Sequence, residues 1–256
     1  MELYFRIQGY ISLLIQNFSN VKLNTFIICC ITILFILLNK VRHVKILSSI
    51  SILFSFFPVL IHELGHALSA RLVGGQVDNI HMVLTQKEQV STERQGYAET
   101  RANSNFKFII ITFCGYVAPP IMLFLGVYLA YKEKTFIYLF ICIGLLLFYF
   151  AVTKQKWIPI ILLIAVSYAC YNIIIQHDTF ITNSTSFIYN VLLGLLLGEI
   201  IQSIIITTNI TFNKKGSEWD GTAMKNLTLI PVIFWWLLWT IISCISIYKV
   251  LNMLFS

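Results

Sequence analysis

The stretch Pro58-Val59-Leu60-Ile61-His62-Glu63-Leu64-Gly65-His66-Ala67-Leu68-Ser69-Ala70-Arg71 sets His-Glu-x-x-His inside an apolar run. On a helix, residues 62 and 66 lie one turn apart on the same face, so both imidazoles can reach one metal ion. Glu63 lies about 100° further round, where its carboxylate can act on a water beside that ion without ligating it. Two ligands and a general base within one turn is the arrangement for zinc-assisted hydrolysis. The chain has only five histidines in all, so the pair does not come from a histidine-rich composition. The alternative is a hydrogen-bonded pair of core histidines with Glu63 as their neutral partner, since such groups are costly in an apolar helix without partners.

The surroundings of the motif follow from composition. The 256 residues are 58% apolar and 11% charged, with a mean hydropathy of +0.81. Soluble domains carry about twice that charged fraction, near 25%. Repeated apolar runs without a charge imply an all-α, polytopic helical membrane protein of about seven transmembrane helices. The net charge of +7 is spread over the loops between these runs, so it reads as topology and contact with anionic headgroups. Nucleic acid is not an expected partner. The six cysteines (29, 30, 114, 142, 170 and 244) lie in apolar stretches without metal-type spacing, and read as small helix residues. With no long polar segment, residues 1–256 read as a single membrane domain.

Residues 3–18 carry an amphipathic pattern suited to the membrane interface, with no small-x-small cleavage site after it. The expected spans are 23–38, 46–73, 106–131, 135–152, 157–175, 187–210 and one within 217–253. The second would be about 42 Å of helix, kinked at Pro58 and stopped at Gly74-Gly75, with both histidines inside the membrane. Gly65 and Ser69 form a small-x-x-x-small pair beside the motif face. Residues 76–105 are the longest polar stretch; alternation through Ile80, Met82 and Leu84 suggests a short membrane-surface β-hairpin turning near Gly96, with His81 as a loop histidine. Span three contains Gly115-Tyr-Val-Ala-Pro119-Pro120, whose prolines free carbonyls that need partners. Spans four and five, 135–175, look like scaffold. Span six carries Gly194-x-x-x-Gly198 and then Glu199, Gln202, Ser203 and Thr207. This stripe must face the bundle or a wet cavity, and Glu199 suits either a place beside the metal or a structural hydrogen bond. The last stretch, with Trp219-Asp220-Gly221, is too long for one straight span, so Pro231 should kink or divide it.

The motif within a span, followed by Gly74-Gly75, resembles the site-2 protease family of intramembrane zinc metalloproteases, in its small form without a PDZ domain. Trp219-Asp220-Gly221 is similar to that family's second motif, Leu-Asp-Gly, with Trp in place of Leu. Gly115 to Pro120 is similar to the Gly-Pro segment of its middle core helix. The resemblance covers core helices at about 46–131 and 213–250. It implies one zinc ion per chain held by His62, His66 and Asp220, with Glu63 as general base. Gly115, Pro119, Pro120 and Glu199 are then candidates for supporting the metal or contacting substrate.

Asp220 is also reached by elimination. Asp78 and Asp178 sit in polar loops, His81 follows the motif helix too closely to fold back into the membrane, and among glutamates outside the motif only Glu199 lies within a span. The alternative for Asp220 is a helix N-cap.

The activity so implied is endopeptidase cleavage of transmembrane segments of other membrane proteins, in contact with the lipid bilayer. Two rivals are a metal-ion transporter using His62, His66 and Glu199, and a non-proteolytic relative that binds membrane helices; the second has no need of Glu63. Lys and Arg favour the even-numbered loops by seven to five, which places residues 76–105 and the N-terminus in the cytoplasm.

Overall fold

A computed structural model describes residues 8–10, 12, 21–41, 44–171, 179–213 and 218–255. The expected interfacial helix at 3–18 falls largely outside them. The elements run α1 (Thr25–Lys40), α2 (Lys45–Leu72), β1 (Gln76–Met82), α3 (Gln86–Thr92), β2 (Gly96–Arg101), α4 (Asn105–Tyr131), α5 (Thr135–Val152), α6 (Trp157–Tyr171), α7 (Thr179–Asn213), α8 (Asp220–Thr228) and α9 (Val232–Leu254).

Five of these helices contain stretches long and apolar enough to cross a bilayer: Leu47–Leu72, Asn105–Tyr131, Thr135–Val152, Asn183–Asn213 and Val232–Leu254. Seven spans were expected. The difference lies in α1 and α6, apolar helices of 16 and 15 residues. At 1.5 Å per residue their described lengths are about 22–24 Å, short of a hydrocarbon core of about 30 Å. Their large side chains, such as Phe26, Ile161 and Ile164, are still exposed on the outside of the bundle, as lipid contact requires.

α4 is the central helix. It packs against α2 on one side and α9 on another, with α5, α7 and α8 also touching it. α2 approaches it at Gly65, where an added Cβ would stand 2.6 Å from the Cys114 carbonyl oxygen and 2.8 Å from the Ala118 Cβ. The small residue is therefore required by the packing. α9 is tied to α4 by two hydrogen bonds: Ser246 Oγ donates to the Pro120 carbonyl (2.7 Å) and Trp239 Nε1 to the Phe113 carbonyl (3.1 Å). α7 joins through the Tyr189 hydroxyl, which donates to the Gly126 carbonyl (2.6 Å). On its other face, Gly194 and Gly198 admit α1, with Ile31 and Phe35 filling the space their side chains would take. In lipid these close contacts and interhelical hydrogen bonds replace the hydrophobic drive of a soluble core.

The helix α2 runs unbroken through Pro58, as α4 does through Pro119 and Pro120. Pro231 divides the last stretch, as expected: Leu229, at φ 63°, ends α8, and Pro231 caps the start of α9.

β1 and β2 form the expected antiparallel hairpin, but the connection is α3. Gly96 begins β2 and pairs with Met82, so the turn is not there. His81 is likewise a strand residue and not a loop histidine: it pairs with Tyr97, stacks on its ring, and Nε2 lies 2.6 Å from Glu88 Oε1 on α3. A bulge between Val77 and Asn79 releases Asp78 to pair with Arg101. The loop after α5 fastens β1: Thr153 Oγ1 donates to the Ile80 carbonyl (2.7 Å), and the Gln155 amide bridges the backbone N–H and C=O of Met82 (2.8 and 3.1 Å). With Ile80 and Met82 buried against the core, the hairpin is a fixed wall beside α2.

Candidate metal centre

His62 and His66 project from α2 on one face, and α8 starts opposite them. The α8 N-terminus is set by Trp219, whose backbone N–H donates to Thr222 Oγ1 (2.9 Å), closing the first turn. Thr222 thus performs the capping that Asp220 was also suited for. Asp220 becomes the first helical residue and turns its carboxylate to the imidazoles. Gly221 beside it leaves space for the Trp219 indole, whose Cζ2 would lie 2.3 Å from an added Cβ. The close helix approach expected of Gly221 is instead room for its neighbour's ring.

Three atoms converge. The two imidazole Nε2 atoms are 3.1 Å apart, and Asp220 Oδ2 stands 3.4 Å from that of His62 and 3.3 Å from that of His66. Zn–N and Zn–O bonds of 2.0–2.2 Å in a tetrahedron put ligand atoms about 3.3–3.5 Å apart, so this triangle has the size of a zinc face. His66 Nδ1 lies 2.8 Å from the Ile111 carbonyl oxygen. A carbonyl only accepts, so the neutral ring carries its proton on Nδ1 and Nε2 presents a lone pair. His62, His66 and Asp220 are the one group among the described residues in which three His, Cys, Asp or Glu side chains could hold a metal ion.

Glu63 is buried beside both imidazoles, and the backbone of Ala98 on the hairpin stands next to its carboxylate. It lines the same cavity of about 560 Å³ as both histidines and Asp220. Glu199 and Ser203 of α7 line it too, whereas Gln202 and Thr207 of the same stripe are not in its lining. Gly115 lies behind the imidazoles, where an added Cβ would be 2.3 Å from His66 Nε2 and 3.0 Å from His62 Nε2. Pro119 and Pro120 are buried one turn further along α4 and are not part of the cavity lining.

A family model described as Peptidase M50B-like matches residues 27–250. The chain belongs to that family. No curated protein and no solved structure matches it. Membership in a Peptidase M50B-like family bears out the site-2 protease resemblance read from the motifs. Together with the five long apolar helices, it makes the chain an integral multi-pass membrane protein of a metallopeptidase family.

Several parts of this M50B-like site go beyond the expected ligands and base. Gly96, Tyr97, Ala98 and Thr100 bring β2 into the cavity wall. Tyr116, Trp219 and Trp239 form an aromatic side: Tyr116 meets the His62 ring edge-on at 4.8 Å, and both tryptophans pack on Tyr116. Alternation could have signalled the strand, and adjacency to Gly115 could have signalled Tyr116. Nothing in the sequence places Trp239, which is distant along the chain.

Proposed function

We propose that this chain is a zinc-dependent intramembrane endopeptidase that cuts transmembrane segments of other proteins after they unwind locally. The observation that carries the proposal is the convergence of His62, His66 and Asp220 to a zinc-sized triangle, with Glu63 on the next helical position in the same cavity. His62, His66 and Asp220 would hold the ion through Nε2, Nε2 and Oδ2. Zinc held there supplies a Lewis acid and a water acidified to a pKa of about 7.

The work of the chain itself is proton movement and placement. Glu63 takes a proton from water as the water oxygen bonds to the scissile carbonyl carbon. It then delivers that proton to the amide nitrogen as the C–N bond breaks, leaving an amine and a carboxylic acid that releases its remaining proton to water. The Ile111 carbonyl keeps the His66 ring oriented throughout. Substrate must arrive extended, because a helical carbonyl is held in its own hydrogen bond. The strand β2, which lines the cavity, pairs with β1 alone among the described residues. Its other edge therefore offers backbone donors and acceptors to an extended segment.

The test is zinc content and cleavage of a single-span substrate by purified protein, with and without Glu63→Gln. Wild type should carry one zinc per chain and cleave; the variant should keep zinc and not cleave. Loss of zinc by the variant, turnover near the wild-type rate, or zinc flux in proteoliposomes without cleavage would each defeat the proposal.

A further inference from the structure

We propose that Tyr116 is a further catalytic residue, whose phenolic hydroxyl donates a hydrogen bond to the scissile carbonyl oxygen as that oxygen gains negative charge. This rests on the peptidase reading above and adds to it a group that neither motif contains.

Amide hydrolysis needs donors aimed at the developing oxyanion, and fixed donors of this kind account for large rate factors. The residues assigned to the metal and the proton supply none. Glu63 and Asp220 only accept when ionised, His66 Nδ1–H is committed to the Ile111 carbonyl, and the two Nε2 atoms face the triangle. Elsewhere in the cavity, Thr222 donates its hydroxyl to the Trp219 carbonyl (2.7 Å), Arg94 and Asn226 are exposed, so water competes for them, and Tyr97 is stacked on His81. Gln95, Thr100, Thr112 and Ser203 also line it, but the donor whose ring packs on His62 is Tyr116. Tyr116 is different. It lies in the cavity wall directly against His62, and its phenol sits within electrostatic reach of the carboxylates of Asp220, Glu199 and Glu63. A phenol keeps its proton near neutral pH, with an ordinary pKa near 10, so it is a donor there.

The ring is also held. Gly115 lets α4 lie against the imidazoles, and the next residue, about 100° round the helix, meets the His62 edge. Trp239 packs on the other side of Tyr116 at 4.8 Å, and is itself fixed through Nε1–H to the Phe113 carbonyl. Trp219 completes the enclosure at 5.9 Å. A donor locked by packing costs little reorganisation when the charge appears. In the step itself no bond to Tyr116 forms or breaks, and the proton stays on its oxygen.

The experiment uses Tyr116→Phe, which keeps the ring and its packing and removes only the hydroxyl. Zinc content, kcat and KM are measured on a single-span substrate. Separately, the affinity of a phosphinic peptide, which carries a tetrahedral phosphinate at the scissile position, is read from tryptophan fluorescence of wild type and variant. The expected result is unchanged zinc and KM, kcat lower by about 10²-fold, and phosphinate binding weakened by a similar factor. Loss of zinc would make Tyr116 a ligand or a support for His62. A raised KM with unchanged kcat would make it a ground-state contact. Cleavage and phosphinate binding within twofold of wild type would give the hydroxyl no role. Each of these overturns the inference while leaving the peptidase intact. If wild type itself binds zinc and the phosphinate yet cleaves nothing, the peptidase reading fails, and this inference with it.

Discussion

Gly115→Ala is a one-methyl test of how tightly the metal centre is built. The added Cβ would lie 2.3 Å from both Cε1 and Nε2 of His66 and 3.0 Å from Nε2 of His62. Ordinary contacts between such atoms are about 3.5–4.0 Å, so roughly 1.2–1.7 Å must be found at His66. Neither obvious escape is free. If the imidazole swings away, its 2.8 Å bond to the Ile111 carbonyl is lost and Nε2 leaves a triangle whose edges are only 3.1–3.4 Å. If instead α4 withdraws, it opens the Gly65 contact with α2 that holds the motif helix in place. Overpacking of this size costs about 1–3 kcal/mol of stability. A ligand displaced by about 1 Å, with its supporting hydrogen bond gone, should lower metal affinity by roughly 10–100-fold and cleavage by at least 10². The assay pairs zinc titration against a competing chelator with substrate cleavage, using Gly144→Ala as the control. Gly144 sits in α5 with nothing within 4 Å of an added Cβ, so that variant should match wild type. Full zinc affinity and full activity in Gly115→Ala would refute the claim that α4 and the imidazoles are in contact through this glycine.

Asp220→Ala should abolish both bound zinc and cleavage, whereas Glu199→Ala should keep the metal and lower activity; the reverse pattern, read by metal analysis, would move the ligand to Glu199. At the hairpin, the Arg101 hydrogen bond and charge hold the Asp78 carboxyl below its usual range. A lowered folded pKa gives stability that is present above the unfolded value near 3.9 and lost as pH falls through the folded one. Amide protection (intrinsic over observed exchange rate) at the 76/101 end of the hairpin should therefore fall below about pH 4 in wild type. Asp78→Asn should show the lower protection at every pH, and an unchanged profile would remove the pair from that role. A single cysteine placed at Val90, exposed on α3, should label from the cytoplasmic face only; labelling from the opposite face overturns the orientation.

The histidine face of the candidate metal centre is legible in the sequence because its geometry is mostly local. His62, Glu63 and His66 need one turn of helix to define their relation, and that relation survives whatever packs around it. Asp220 could be reached only by elimination, since its approach depends on how a 9-residue helix is started by Thr222 and stopped by Leu229 at positive φ. Span number is less legible for a related reason. Apolar runs reveal that a segment avoids water and not how far its helix extends: α1 has 16 residues, and α6 has 15 among the described residues. Gly96 was read as a turn because glycine usually marks one. In the structure it lies within 3.1–3.3 Å of where a Cβ would meet Val59 and Met82, so its meaning was close packing.

What the sequence hid most completely is the part of the site made by contact between distant segments. Tyr116, Trp219 and Trp239 come from α4, the start of α8 and the middle of α9, and nothing in the sequence shows that they meet. Tyr116 packs on the His62 ring with the two tryptophans against it, and the hairpin forms another wall. The division of labour is physical. Ligands and base must keep fixed mutual geometry, which neighbouring positions on one helix provide cheaply. The surrounding wall must instead be assembled from helices that interdigitate, and only glycines at the crossings, Gly65 and Gly115, let them come near enough. Those two glycines are therefore as much a part of the site as His62, His66 and Asp220, and substitutions at either should fail in metal binding before they fail in folding.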